Sequence, residues 1–271
     1  MMRGFSRHRL AMAGLAILVL LVVVALLAPW LSPFDPWQID LPGELEGPSR
    51  LHWLGQDQLG RDLVSRMIHG ARVSLLVGIS VVSVSLIFGT LIGAYAAYKG
   101  GLADAVLLRI MDVMLAFPGI LLAIALISIM GPSLKTVMVA LSVMGWVGYA
   151  RLARGQVLAE KEQEYILAAR SCGAGSLRII VFHLLPNLAA PLIVEATFGV
   201  AGVILAESSL SFLGLGPQDV PTWGGTLHEG VRYLLFAPHL SLFPGLAIML
   251  TVLAFNFIGD GLRDSLDVRK Q

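Results

Sequence analysis

Stretches without a single Asp, Glu, Lys or Arg dominate this chain: Leu10 to Phe34, Val73 to Tyr98, Val113 to Leu134 and Tyr233 to Gly259. Each exceeds the roughly 20 apolar residues that a helix needs to cross about 30 Å of hydrocarbon. Two further apolar stretches are less clean. Thr136 to Ala150 is short, but the aliphatic stem of Arg151 can carry its charge to the interface. Ile179 to Leu215 carries Glu195 and Glu207 as its only formal charges. The pattern predicts an all-α membrane protein with six transmembrane helices, at about 10–31, 73–98, 109–131, 135–153, 188–213 and 238–259.

Between these helices the chain is punctuated unevenly. Ser32 to Gly70 holds Pro33, Pro36, Pro42 and Pro48, too many prolines for one helix, although Gln58 to His69 is compatible with a short helix leading into the second span. Gly89 and Gly93 have the spacing that lets two membrane helices approach closely. Arg109 and Asp112 stand three apart on one helical face and are expected to pair. Pro118 is expected to kink or break the third span. The organisation is an N-terminal anchor with an external loop (1–72), then a five-helix core (73–271) with a cytoplasmic segment at about 155–187.

Composition agrees: 56% of residues are hydrophobic and 14% charged, against about 25% charged in soluble domains. One cysteine excludes an internal disulfide, and a net charge of +1 gives no case for nucleic acid. Arg3, Arg7 and Arg9 precede an apolar stretch longer than a cleavable signal, which predicts an uncleaved anchor. With the N-terminus in the cytoplasm, thirteen of the nineteen Lys and Arg residues fall inside, the bias that orients membrane proteins. Both termini are then cytoplasmic. Trp30, Trp37, Trp53 and Trp223 fall near the outer boundary, as an interfacial belt would.

The longest polar interruption of the C-terminal half is the informative one. Glu160, Glu162 and Glu164 stand with Lys161, Arg170 and Arg178 among small residues. Leu158 to Cys172 is rich in helix formers. Gly173 and Gly175 can supply the left-handed residue that ends a helix, Ser176 can cap a second one, and Pro186 is expected to bar helix continuity. Ala168, Ala169 and Gly173 leave nothing bulky in the bend, and Cys172 reads as a small apolar filler there. A lipid-seeking face would be dominated by Lys and Arg. This one is not, so a groove in a protein partner is the better match.

These residues resemble the cytoplasmic signature of ABC importer permeases: Glu-Ala-Ala, three residues, Gly, nine residues, Ile, one residue, Leu-Pro. Ala168, Ala169, Gly173, Leu185 and Pro186 fall at the matching spacing, with Leu167 in place of the glutamate and His183 in place of the isoleucine. Other stretches are similar to the C-type permeases of dipeptide, oligopeptide and nickel importers. They are His52-Trp53-Leu54-Gly55-Gln56-Asp57, Gly60-Arg61-Asp62, Gly70-Ala71-Arg72-Val73-Ser74-Leu75, Ala206-Glu207-Ser208-Ser209-Leu210-Ser211-Phe212, and Leu253-Ala254-Phe255-Asn256-Phe257-Ile258-Gly259-Asp260-Gly261.

The resemblance implies the type I importer permease fold, with a coupling helix that docks into a cleft of an ATPase subunit. The docking residues it implies are Ala168, Ala169, Gly173 and Pro186, with Glu164, Arg170 and Arg178 as rim charges. The implied partners are a homologous second permease, two ATP-binding cassette subunits, an extracytoplasmic substrate-binding protein and membrane lipid. The chain itself has no P-loop, since none of Lys99, Lys135, Lys161 and Lys270 follows a glycine. It is therefore expected to be non-catalytic and to bind no cofactor, with ATP and Mg held by the partner subunits.

Implied cargo is a dipeptide, an oligopeptide or nickel. A self-sufficient secondary transporter or channel is the competing class, and it leaves the polar segment unexplained. Ionisable groups at membrane depth usually face a cavity or a partner. Glu207 and Glu195 are thus candidates for the pathway, with a structural pairing of Glu207 to Arg61 or Arg72 as the alternative. His228, Glu229 and His239 lack a compact ligand spacing, and no metal site is expected.

Overall fold

The computed structural model describes residues 8–266, so Arg3, Arg7, Arg269 and Lys270 lie outside the described residues. The described chain is helical, with one isolated β-bridge between Gln56 and Asp62. Five of its helices are long and apolar enough to cross a membrane, and a pair bent by 84° would make a sixth if it counts as one broken span.

The first span is α1 (Arg9–Leu26), followed by the single turn α2 (Ala28–Leu31). Pro29 has no N–H for the ladder and its ring crowds the carbonyl four residues back, so the helix predicted over 10–31 is interrupted at Leu27. The second span, α3 (Leu63–Lys99), runs for 37 residues and starts ten residues before the predicted boundary. Asp62 fixes that start, accepting hydrogen bonds from the Ser65 amide at 2.8 Å and the Ser65 hydroxyl at 2.7 Å. Of the short helix expected at Gln58 to His69, residues 63–69 are the first turns of this long one and residues 58–62 are not helical. Gly100 (φ 68°) and Gly101 (φ 59°) turn the chain at its inner end, a conformation costly for residues with a Cβ.

The third crossing corrects the prediction of one span over 109–131. Two helices, α4 (Gly101–Ala116) and α5 (Gly119–Met130), meet at Pro118 with a bend of 84°. The fourth span, α6 (Leu134–Glu160), is capped by Ser133 accepting from the Thr136 amide and runs seven residues past its predicted end. Residues 155–160 therefore belong to a span helix. Arg109 and Asp112 do not form the expected pair: Asp112 meets Arg151 at 3.5 Å, and Asp104 grips Arg154 through two bonds of 2.6 and 2.8 Å. Both pairs tie α4 to α6.

After the polar segment come α7 (Glu164–Ser171), α8 (Ser176–Ile179), a π-helical turn at Ile180–Leu184, and the fifth span α9 (Leu185–Phe212). A short outer helix, α10 (Trp223–Val231), precedes the last span α11 (His239–Leu266).

Glycines decide how closely the spans approach. A Cβ on Gly89 would strike the Trp146 carbonyl, and one on Gly93 the Ala150 carbonyl, so the pair spaced by four is the contact line of α3 on α6. Gly14 of α1 likewise rests on the Ala254 carbonyl of α11. The main core lies among α3, α6, α9 and α11, where Val82, Tyr149, Val200, Ile204 and Phe255 pack together.

At the N-terminal end of α3, the proline-rich loop is fastened by buried charge. Arg61 donates to Asp57 at 2.6 Å and to Glu229 at 2.8 Å, and Arg66 reaches the same Glu229 at 2.9 Å. Trp223 departs from the expected belt: it is 1% exposed, and its indole N–H donates to the Met67 carbonyl at 2.9 Å. Trp30, Trp37 and Trp53 remain exposed.

Candidate docking element and pathway residues

The polar segment folds as an elbow. Helix α6 ends at Glu160, a turn at Lys161–Gln163 follows, and α7 begins at Glu164, so the helix expected over Leu158 to Cys172 is two pieces. At the end of α7, the Ala174 amide bonds to the Ala169 carbonyl and the Gly173 amide to the Arg170 carbonyl, both at 3.0 Å. This double closure requires a left-handed residue, and Gly173 supplies it at φ 83°. Gly175, with φ −70°, occupies the cap position of α8, and Ser176 is its first helical residue, making no capping bond. The expected Ser176 cap is therefore absent.

Pro186 does not break the chain's helical path either. The preceding turn widens to a π-helix, with the Leu185 amide bonding to the Ile180 carbonyl, and Pro186 then sits in the first turn of α9. There its missing N–H costs nothing. Asn187 donates its side-chain amide to the His183 carbonyl at 3.2 Å, satisfying an acceptor beside the proline.

The elbow has one face pinned to the spans. Ile166, Ile179, Ile180 and Leu184 are buried in the main core, with Ala169 and Ala174 packed against them. The other face is free. Glu164, Ala168, Arg170, Gly173, Arg178 and Pro186 are all exposed, and of the residues implied for docking only Ala169 is partly covered. Cys172, expected as a filler in the bend, is exposed as well.

Arg170 turns back toward α3, its guanidinium 5.5 Å from the centre of the Tyr98 ring. The Tyr165 hydroxyl donates to Glu160 at 2.6 Å and accepts from Asn187 at 2.8 Å. Burial, reinforced by the Glu160 carboxylate, raises the Tyr165 pKa, which keeps that hydroxyl a donor.

Two large residues escape a reading of the sequence. Leu177 and Phe182 are 72% and 71% exposed, and with Arg178, Val181 and His183 they line a groove of about 720 Å³. In sequence they read as the approach to the fifth span. The one local signal is the neighbouring charge of Arg178.

Of the two intramembrane carboxylates, Glu207 is enclosed. It has no exposed surface, and it accepts hydrogen bonds from the Ser211 hydroxyl at 2.7 Å and the Ser208 hydroxyl at 3.4 Å. It faces neither a cavity nor Arg61, which is held by Asp57 and Glu229. Glu207 is thus enclosed by its own helix and its neighbours and lines none of the clefts described. Glu195 is exposed and lines a cleft of about 560 Å³ with Leu152, Pro191, Phe198 and Arg263.

His228, Glu229 and His239 do not converge. The ring Nδ1 of His228 lies 2.6 Å from the Phe212 carbonyl, Glu229 takes the two arginines, and the His239 ring is 3.5 Å from the Gln56 carbonyl. No group of three metal-ligating side chains occurs among the described residues.

Comparison with known proteins gives the same picture. Residues 1–48 match the N-terminal transmembrane domain of oligopeptide transport permease C. The dipeptide transport system permease protein DppC of Alkalihalophilus pseudofirmus is 45% identical over 266 residues, covering 98% of this chain and 88% of that protein. The di/tripeptide transport system permease protein DppC of Pseudomonas aeruginosa is 44% identical over 272 residues, covering 98% and 90%. The glutathione transport system permease protein GsiD of Pectobacterium atrosepticum is 45% identical over 267 residues, covering 98% and 89%. Among solved structures, the MetNI methionine ABC transporter in inward-facing conformations aligns with a TM-score of 0.58 at 20% identity, over 72% of this chain and 93% of that one. Residues 89–271 match the binding-protein-dependent transport system inner membrane component, and the chain belongs to that family of ABC importer permeases.

Proposed function

We propose that this chain is one of two homologous permeases in an importer of short peptides, driven by two ATP-binding cassette subunits and fed by an extracytoplasmic binding protein. It lies in the cytoplasmic membrane of a bacterium or archaeon with both termini inside, and hydrolyses no ATP itself. ATP and Mg belong to the partner subunits. The carrying observation is the elbow: a helix–Gly–helix unit with one face buried in the main core, presenting Ala168, Arg170, Leu177 and Phe182 on the other. A helix-in-groove contact with an ATPase subunit uses such a surface.

Closure of the two ATPases moves the elbow of each permease, and the spans it is pinned to follow as a rigid body, alternately opening the pathway outward and inward. The docked surface is what gives the two states different energies. Relatives named for dipeptides, di/tripeptides and glutathione favour a peptide over nickel as cargo. A self-sufficient secondary transporter has no use for the elbow.

The test is reconstitution in liposomes with the partner permease, and with or without the ATPases, followed by uptake of radiolabelled dialanine delivered by the binding protein. Uptake is expected only with ATPases and ATP. Uptake in their absence overturns the reading.

A further inference from the structure

Glu195 is the one charged side chain of α9 with an exposed surface, and that surface opens onto a cleft lined also by Leu152, Pro191 and Phe198. Arg263 lines the same cleft of about 560 Å³.

Packing sets the relative depth of the two. Helices α9 and α11 run antiparallel, and Gly259 of α11 rests against Thr197 and Phe198 of α9. Arg263, four residues further toward the cytoplasm, falls level with positions 193–194. Glu195 is then within about 3 Å of the same height at 1.5 Å per residue. Despite that, the two make no ion pair, and neither has a hydrogen-bond partner among the described residues. One turn outward from Glu195, the Tyr149 hydroxyl abuts Gly199 and is also without a hydrogen-bond partner there. An exposed anion and an exposed cation on one cleft at one height, with no ion pair between them, suit a ligand that carries both charges.

We infer that this cleft is the inner substrate site of the permease, where Glu195 takes the α-ammonium and Arg263 the terminal carboxylate of a zwitterionic dipeptide. The inference rests on the peptide-importer reading. An extended dipeptide spans about 7 Å between its termini, which the long Arg263 side chain can bridge from the opposite wall. One charge-assisted contact at each end of the ligand gives selective but weak holding. A site that must release its cargo inward needs no more.

The test is equilibrium binding of radiolabelled dialanine to the nucleotide-free complex of both permeases and both ATPases, without binding protein. Unlabelled dialanine is expected to compete, whereas N-acetyl-dialanine and dialanine amide are not. Glu195→Gln and Arg263→Gln are each expected to weaken binding roughly tenfold or more. In the Glu195→Gln complex, N-acetyl-dialanine should compete no worse than dialanine, which a merely structural role would not produce. Wild-type binding that both variants retain overturns the inference, as does equal competition by the capped peptides in the wild type. ATP-driven dialanine uptake by the wild-type complex, measured in parallel, separates this failure from that of the parent reading: uptake with insensitive binding sinks only the site, and absent uptake sinks both.

Discussion

Arg61 donates to Glu229 at 2.8 Å across 168 positions of sequence, fastening the proline-rich outer loop to the short helix α10. Arg61 is buried, and Glu229 also receives Arg66, so Glu229 and Asp57 together balance two guanidiniums. Removing one member of a buried pair costs about 3–5 kcal/mol because the remaining charge stays buried without compensation. Glu229→Ala leaves two such charges facing only Asp57. The expected outcome is a complex that assembles poorly and whose outer loop, between Pro33 and Pro48, is cut by added protease in intact spheroplasts. Glu229→Gln, which keeps an acceptor, should be milder. Equal protease resistance of the wild type and Glu229→Ala would contradict the fastening role.

Close helix approach makes the second prediction. Gly93 lies against the Ala150 backbone with no room for a Cβ. Gly93→Val forces α3 and α6 apart, at the upper end of the range typical of overpacking because the obstacle is backbone, about 3 kcal/mol. Thermal unfolding in detergent should show a lowered midpoint. Gly148, on the same α6 but in open space, is the control, and Gly148→Ala should leave the midpoint in place.

Glu207 provides a third. Its carboxylate is enclosed by its own helix and accepts from Ser211. Glu207→Gln keeps an acceptor for that hydroxyl at nearly the same volume, so uptake is expected to stay within about twofold of wild type, the range of a neutral exchange. Glu207→Lys buries an unpaired cation and should abolish expression of the complex. A large loss of uptake in Glu207→Gln, with normal assembly, would return Glu207 to the pathway.

The spans are legible because long apolar stretches are a local property, and five of the six predicted stretches fall on helices long and apolar enough to cross a membrane. The elbow is legible for a similar reason: Gly173 and the Ala168-Ala169 pair encode a helix end within a few residues. What escapes the sequence depends on distant partners. The outer extension of α3 contains Arg66 and Arg72 and reads as too polar for a span, but Arg66 is neutralised by Glu229, far along the chain. Trp223 reads as interfacial because nothing local shows that Met67 offers its carbonyl. Pro186 signals a break that the π turn at Ile180–Leu184 absorbs. Glu195 and Glu207 look alike in sequence, and only the packing of α9 shows one exposed and the other enclosed.

Gly173 carries the last prediction. Its φ of 83° is open to glycine and costs a residue with a Cβ about 1–2 kcal/mol, more if β-branched. No atom lies within 4 Å of the position a Cβ would take, so Gly173→Val acts through backbone strain without a clash inside the chain. Relief of the strain is expected to shift Leu177 and Arg178 on the docking face, while Ile166, Ile179 and Leu184 keep the elbow anchored in the core. The complex should therefore fold with a near-normal unfolding midpoint but lose ATP-driven dialanine uptake, and its ATPase should no longer rise on adding loaded binding protein. Gly173→Asn, which tolerates the left-handed region, should retain much of the coupling. Coupled uptake at the wild-type rate in Gly173→Val would remove the elbow from the transmission path.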